Sequence, residues 1–446
     1  MNKAIEVLSA AVVKCVAWVG IDWADKKHNW SMRVEGKTSI EQGELKNTPE
    51  AIHVFVSELS SRFPGKKIGV ALEQSRGAVL FQLAKYEQFV LYPIHPNMLD
   101  HYRKGFYPSG AKSDPCDADL ILELLCQHGD RLRSFAPDDV PTRTLQFMVE
   151  ARRAAVDDNT RSVNRLTGQL KLFYPQVLDW FKEVDSPLVC DWLKKWPTLQ
   201  QAQNQQPAKV HAFLKAHRYS SEHTEKLLES LPQSIPATKD QAVIEAGLLI
   251  VKQLLGQIEG LRTIIQEYDK RIKLLTEAHP DQAIFASFPG AGEVMVPRLI
   301  AAWGTQRERY DTASSMQSFS GIAPVVERSG NKEWIHWRWA CPKFLRQTFH
   351  EWAWLSTRGS EWAREFYDKQ RAKGKGHHAS VRALAFKWTR IMFRCWKDRC
   401  LYDEARYVAN LKKRSQPPPQ AAAPSSLVGI QWKSDSGLYK PSPLSA

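Results

Sequence analysis

Residues 15–22 read CVAWVGID, a β-branched apolar run that ends abruptly on an acid, Asp22. A run this short and this rich in Val and Ile is the pattern of a buried strand rather than of a helix. The segments after it, NWSMRVEG at 29–36 and TSIEQGELKN at 38–47, alternate polar and apolar residues and read as antiparallel strands. TPEAIHVFVSELSSRF at 48–63 switches to helical spacing at Ile52, Phe55, Val56 and Leu59, with Thr48 placed as the N-cap. KKIGVALEQ at 66–74 is a second buried strand, ending at Glu73. RGAVLFQLAKYE reads as helix, QFVLYPIHP as strand and 114–128 as helix. Three opening strands followed by alternating helices and strands predict a mixed α/β sheet.

That order of elements is of the ribonuclease H/RuvC-like kind and assigns residues 1–138 to one α/β domain. Residues 139–279 read as a helical middle. Within it Val251, Leu254, Ile258, Leu261, Ile265, Tyr268, Ile272 and Leu275 recur at alternating spacings of three and four, a heptad seam. The seam suits a helix of a bundle, or a coiled coil that pairs with another segment or another subunit. Residues 280–410 form a second globular region, expected to be mainly α. Residues 411–446 include RSQPPPQAAAPSS and are expected to be a disordered tail.

Composition narrows the function. Lys plus Arg number 62 against 48 Asp plus Glu, a net charge of +14 that favours a polyanionic partner. The 16 Trp can stack on bases or fill a core. Seven Cys without paired CxxC spacing fit a reducing cytoplasm better than a disulfide framework or a zinc site. No run of eighteen apolar residues occurs, so no membrane partner is expected. The N-terminal apolar run leads straight into the first strand, which argues against an export signal.

AKSDPCDADL at 111–120 sets Asp114 and Asp117 three apart at a helix start, where like charges repel. Asp114 also suits an N-cap before Pro115 at N1. In a ribonuclease H-like sheet the ends of the first and central strands lie side by side, and a late helix packs across them. Asp22, Glu73, Asp114 and Asp117 would then converge. Carboxylates so placed suit two magnesium ions, which bind hard oxygen ligands and can stabilise the attacking and leaving oxygens of a phosphoryl transfer. Asp25 and Asp119 read as surface acids.

GIDWA at 20–24, ALEQS at 71–75 and KSDPCDA at 112–118 resemble the signatures of the DEDD transposases of the IS110 insertion-sequence family, related to the Piv/MooV DNA invertases. FASFPGAGEVMVPRLIAAWG at 285–304, FSGIAPVVERSG at 319–330 and FLRQTFHEWA at 344–353 are similar to the second half of the same family. The resemblance implies a DNA transposase or recombinase that needs no ATP, with Asp22, Glu73, Asp114 and Asp117 as metal-binding catalytic acids. It assigns the nucleophile to Ser329, a serine recombinase's phosphoserine linkage being the family's route. Ser318 and Ser320 are rivals from the residues alone. It also implies DNA partners (element ends or junction, and target), a non-coding bridge RNA that guides pairing, and a dimer or tetramer acting in the cytoplasm. Cys341-Pro342 stands where family members often carry Gly-Asn.

FPGAG before a helix resembles a helix-hairpin-helix turn, whose glycine N–H groups can hold a phosphate; hence Gly290, Gly292 and Arg298 are expected nucleic-acid contacts. Lys373 and Lys375 in RAKGKGHH, and Arg346, complete that set. Two other readings stay open: a RuvC-like junction resolvase or nuclease using water, and a non-catalytic nucleic-acid-binding protein.

Overall fold

The computed structural model describes residues 14–73, 77–106, 114–330 and 332–415. These fall into two compact units, 1–138 and 139–446, which are taken in turn.

The first unit is built on a five-stranded sheet. Its strands are β1 (Cys15–Asp22), β2 (Lys27–Val34), β3 (Ile40–Lys46), β4 (Lys67–Leu72) and β5 (Phe89–Pro93), in spatial order β3-β2-β1-β4-β5. β1, β2 and β3 pair antiparallel, whereas β4 and β5 run parallel to β1. This is a mixed α/β sheet, consistent with the ribonuclease H-like order expected from the sequence. Helix α1 (Pro49–Arg62) starts where Thr48 accepts a hydrogen bond from Ala51 N at 3.2 Å. It lays Ile52, Phe55, Val56 and Leu59 on one sheet face with Val19, Ile21, Val70 and Leu72. α2 (Ala78–Leu83) is one short piece of the longer helix expected there.

The opposite face is covered by α3 (Pro96–Phe106) and α4 (Asp114–His128). There Leu120, Ile121, Leu124 and Leu125 pack on Ala71 and Trp18. α3 was not expected; its apolar spacing is weak, and it meets that core through Leu99, fully buried, and Tyr102, partly buried.

In the second unit two long helices, α5 (Val140–Phe173) and α11 (Gln241–Glu277), lie antiparallel, because Arg152 pairs with Asp269 at 2.5 Å while Gly247 abuts the Phe173 ring. The heptad seam of α11 therefore meets a segment of its own chain. α11 is long and apolar enough to cross a membrane by length and composition, but Val251, Leu254, Leu255 and Ile258 are buried in the protein. Between the two long helices the chain adds α6 (Gln176–Trp180), α7 (Pro187–Lys195), α8 (Leu199–Gln203), α9 (Pro207–Ala216) and α10 (Ser221–Ser230). Leu166, Leu170 and Phe173 join Trp192 and Trp196 in a core at that end.

Leu145, Val149 and Ile272 at the other end enter a larger core. It is formed with α12 (Gln282–Ala286), α13 (Met295–Trp303), α14 (Ala313–Phe319), α15 (Lys343–Ser356), α16 (Glu361–Ala372), α17 (His377–Asp398) and α18 (Glu404–Ser415). Trp303, Trp352, Trp388 and Trp396 are fully buried there, so most of the tryptophan surplus in this region serves packing. A single hairpin, β6 (Val325–Ser329) with β7 (Lys332–His336), interrupts the helices.

Candidate active site

β1 and β4 are parallel and in register, with Ile21 opposite Leu72, so Asp22 and Glu73 follow at the same sheet edge. Adjacent strands lie about 4.8 Å apart, which puts the two backbones within reach of a shared ion. Side-chain alternation decides which face they use. Ala17, Val19 and Ile21 point to the α1 side, leaving Trp18, Gly20 and Asp22 on the α4 side.

Gly20 brings α4 down onto the sheet. A Cβ there would sit 2.4 Å from Ala118 O and 2.5 Å from Leu122 N, so backbone touches backbone at this point. Farther back along the sheet, Gly69 and Trp18 lie beside Leu125. α4 thus runs opposite to β1, and its N-terminal turn, with Asp117, lies toward the Asp22 end.

Asp22 is 7% exposed and Asp117 only 1%. Arg103 of α3 donates to Asp117 Oδ1 from Nη2 at 2.8 Å and from Nε at 3.0 Å. Asp117 Oδ2 is buried without a hydrogen-bond partner. Arg103 is a member of this site that the sequence did not reveal; the only hint was a basic YRK run in a segment with no clear helical pattern. The side chain of Asp114 lies outside the described residues, although its backbone opens α4. Among the described residues no group of three acid, His or Cys side chains is close enough to hold an ion. Asp117 Oδ2 is thus a buried carboxylate oxygen without a donor, on the same face of the sheet as the buried Asp22. Asp119 is engaged elsewhere: both its oxygens accept from Gln42 Nε2 at 2.8 Å.

In the second unit Ser329 is the last residue of β6, paired with Lys332 across a two-residue turn in which Gly330 takes φ +57°. Glycine suits position 330 because it takes positive φ without strain. Ser329 is exposed at the hairpin tip. Neighbouring charges pair with each other, Arg328 with Glu333 at 2.8 Å and His336 with Glu327 at 3.4 Å. Ser320 is fully buried and donates to Gln317 O, which removes it as a nucleophile; Ser318 is half-buried in α14. Cys341, the departure from the family pattern, fills the space above Gly321, where a Cβ would lie 2.3 Å from its sulfur.

The expected nucleic-acid contacts separate by burial. Lys373 and Lys375 are exposed in the turn before α17. Arg346 is half-buried beside Trp337. Arg298 corrects its expectation: it is 8% exposed and bonded to Glu351 at 2.5 Å, because α13 is buried all round and the guanidinium must find its anion inside. Gly292 is open to solvent, whereas Gly290, at φ +73°, would drive a Cβ to 2.7 Å from the Leu355 backbone. Packing of the turn on α15 therefore already accounts for the glycine at 290.

Comparison with known proteins agrees with both halves. Residues 19–175 match the DEDD transposase model of IS110, described as a transposase, and residues 282–368 match the model described as transposase, IS116/IS110/IS902 family. The IS117 mini-circle protein of Streptomyces coelicolor, named for a transposase role, is 26% identical over 400 residues, covering 88% of this chain and 96% of its own. The IS110 protein of the same organism is 23% identical over 392 residues, covering 84% and 92%. The IS900 protein of Mycobacterium paratuberculosis is 23% identical over 407 residues, covering 88% and 98%. DEDD transposases typically use divalent metal ions. The acid-bearing sheet and the helical C-terminal half are thus each similar, in chain order, to the IS110/IS116 family of insertion-sequence transposases.

Proposed function

We propose that the protein is a serine recombinase of its insertion sequence, in which acids of the first unit assist a serine of the second. The observation that carries this reading is the pair of buried acids, Asp22 and Asp117, on the α4 face of the sheet edge, with Asp117 Oδ2 lacking any donor. Asp22, Glu73, Asp114 and Asp117 would hold two magnesium ions, which supply charge stabilisation to the attacking and leaving oxygens of phosphoryl transfer. Without an ion, Arg103 neutralises Asp117. Ser329 stands exposed at the end of β6, a position from which a hydroxyl can reach a DNA phosphate. Its Oγ forms an ester bond to phosphorus as the bond to one strand's oxygen breaks. The serine proton passes to a base, and the reverse attack by a free DNA hydroxyl rejoins the strands.

A serine hydroxyl needs such help, and among the described residues none bonds to Ser329 Oγ. The activating acids therefore come from a first unit, of the same or another subunit, and cutting and rejoining several strands implies a dimer or tetramer. The net charge of +14 and the family resemblance support DNA ends, target DNA and a guiding bridge RNA as partners.

The test is an adduct trap. Protein, magnesium, element-end RNA and donor-junction plasmid are incubated, denatured and examined for protein-linked DNA. Wild type is expected to give the adduct, and Ser329→Ala and Asp114→Asn to lose it. Cleavage without adduct that survives Ser329→Ala would show that water attacks, as in a junction resolvase.

A further inference from the structure

The hairpin that carries Ser329 ends at His336, and the next residue, Trp337, lines a cleft of about 380 Å³ with Arg346, His350, Glu351, His378 and Arg382. Two guanidiniums share the indole: Arg382 lies 3.9 Å from the ring centroid and Arg346 lies 5.3 Å from it. Among the described residues neither has a carboxylate partner, and the Arg346 guanidinium donates to the Arg338 carbonyl at 3.4 Å. Glu351, the one acid at the cleft, is already engaged by Arg298 at 2.5 Å, by Gln347 at 2.7 Å and by Arg153 at 3.9 Å. Trp337 Nε1 is buried without an acceptor. Burial holds Arg382 below the ordinary arginine range and lowers the pKa of His350, so the enclosure resists the charge it contains.

Two like charges held on one aromatic ring, in a cleft whose only carboxylate is spoken for, form an arrangement completed by an anion. Guanidinium forks match phosphate oxygens two at a time. We infer that this cleft is a phosphodiester-binding site that anchors a nucleic-acid strand beside the nucleophile. The inference rests on the reading that the second unit handles nucleic acid. Four residue steps separate the hairpin base, Val325 opposite His336, from its tip, Ser329 opposite Lys332. At about 3.4 Å per step the tip is roughly 14 Å away. With one phosphate per about 3.4 Å of strand, the anchored phosphate lies some four nucleotides from the one at Ser329. Anchoring at that distance fixes strand register without touching the reacting atoms. Arg346 and Arg382 are positioning residues in this scheme.

Full-length protein is titrated with a labelled DNA duplex, with an RNA duplex of the same sequence and with inorganic phosphate. Each phosphate contact contributes about −0.9 to the slope of log affinity against log salt. Over a fourfold salt range, Arg346→Gln or Arg382→Gln should each reduce the salt-driven loss of affinity about 3.5-fold, and the double variant about 12-fold. A change on DNA alone assigns the cleft to donor or target, and a change on RNA alone assigns it to the guide; either supports the site. Wild-type salt dependence of a folded double variant on both duplexes overturns it, including when inorganic phosphate alone still raises the melting temperature. If the double variant does not fold, Arg346→Lys and Arg382→Lys decide. Each keeps the charge and loses the fork, so the slope should stay while affinity falls about tenfold; unchanged affinity overturns the proposal. Ser329→Ala should leave every slope as in wild type. Absence of an adduct together with altered arginine slopes would therefore refute the serine reading and leave the cleft standing.

Discussion

Gly20→Ala is the smallest change that should dismantle the acid site without touching an acid. The new methyl would stand 2.4 Å from Ala118 O and 2.5 Å from Leu122 N, against an ordinary contact of 3.4 Å or more. Both obstacles are backbone atoms of α4, so no side-chain rotation relieves them. The helix must retreat by about 1 Å, and overpacking of that kind costs about 1–3 kcal/mol. For a unit of this size that is a fall in melting temperature of about 4–12 °C. The same retreat carries Asp117 away from Asp22 and Glu73, and a displacement of about 1 Å at a reacting centre lowers rate about 100-fold. Thermal melting followed by circular dichroism reads the first effect, and magnesium-dependent strand cleavage reads the second. Gly168→Ala is the matched control: a Cβ there meets nothing within 4 Å, in the exposed part of α5, so it should stabilise by about 1 kcal/mol. A Gly20→Ala protein that melts and cleaves like wild type would refute the close packing of α4 on β1 and the site built on it.

Arg103→Ala should leave Asp117, 1% exposed, without the one cation that pairs with it among the described residues and destabilise the metal-free protein by about 3–5 kcal/mol. Added magnesium should raise the melting temperature of this variant more than that of wild type; equal shifts would separate Asp117 from the metal. His28 is fully buried and its pKa is lowered by burial, with Ala24 N–H donating to its Nδ1 at 3.2 Å. Its stabilisation is present above the unfolded pKa of about 6.5 and is lost as pH falls through the lowered folded value. Melting from about pH 7.5 to about pH 5 should therefore decline more steeply in wild type than in His28→Gln, and parallel profiles would show that His28 does not titrate in this range.

Much of the architecture is legible along the chain because it rests on periodicity. CVAWVGID and KKIGVALEQ read as strands, and 48–63 and 114–128 read as helices, since their apolar residues recur at the period of the surface they cover. Signals that depend on a distant partner are not legible. The seam of α11 shows its spacing but not that α5 fills it. Arg298 reads as a nucleic-acid contact, and only the distant partner Glu351 shows why it is buried instead. Helix α3 and Arg103 went unseen because only Leu99 and Tyr102 of the described residues tie that helix to a core.

By itself the sequence determined the alternation of strand and helix in the first unit and the acids at the ends of its two central strands, because these follow from local period and local backbone preference. Tertiary structure alone decided that Gly20 lets α4 settle on β1, that Asp117 meets Arg103 while Asp22 shares its face, and that two arginines gather on Trp337. Those are contacts between residues far apart in the chain. Packing and charge compensation act through space, and no local pattern of residues encodes them.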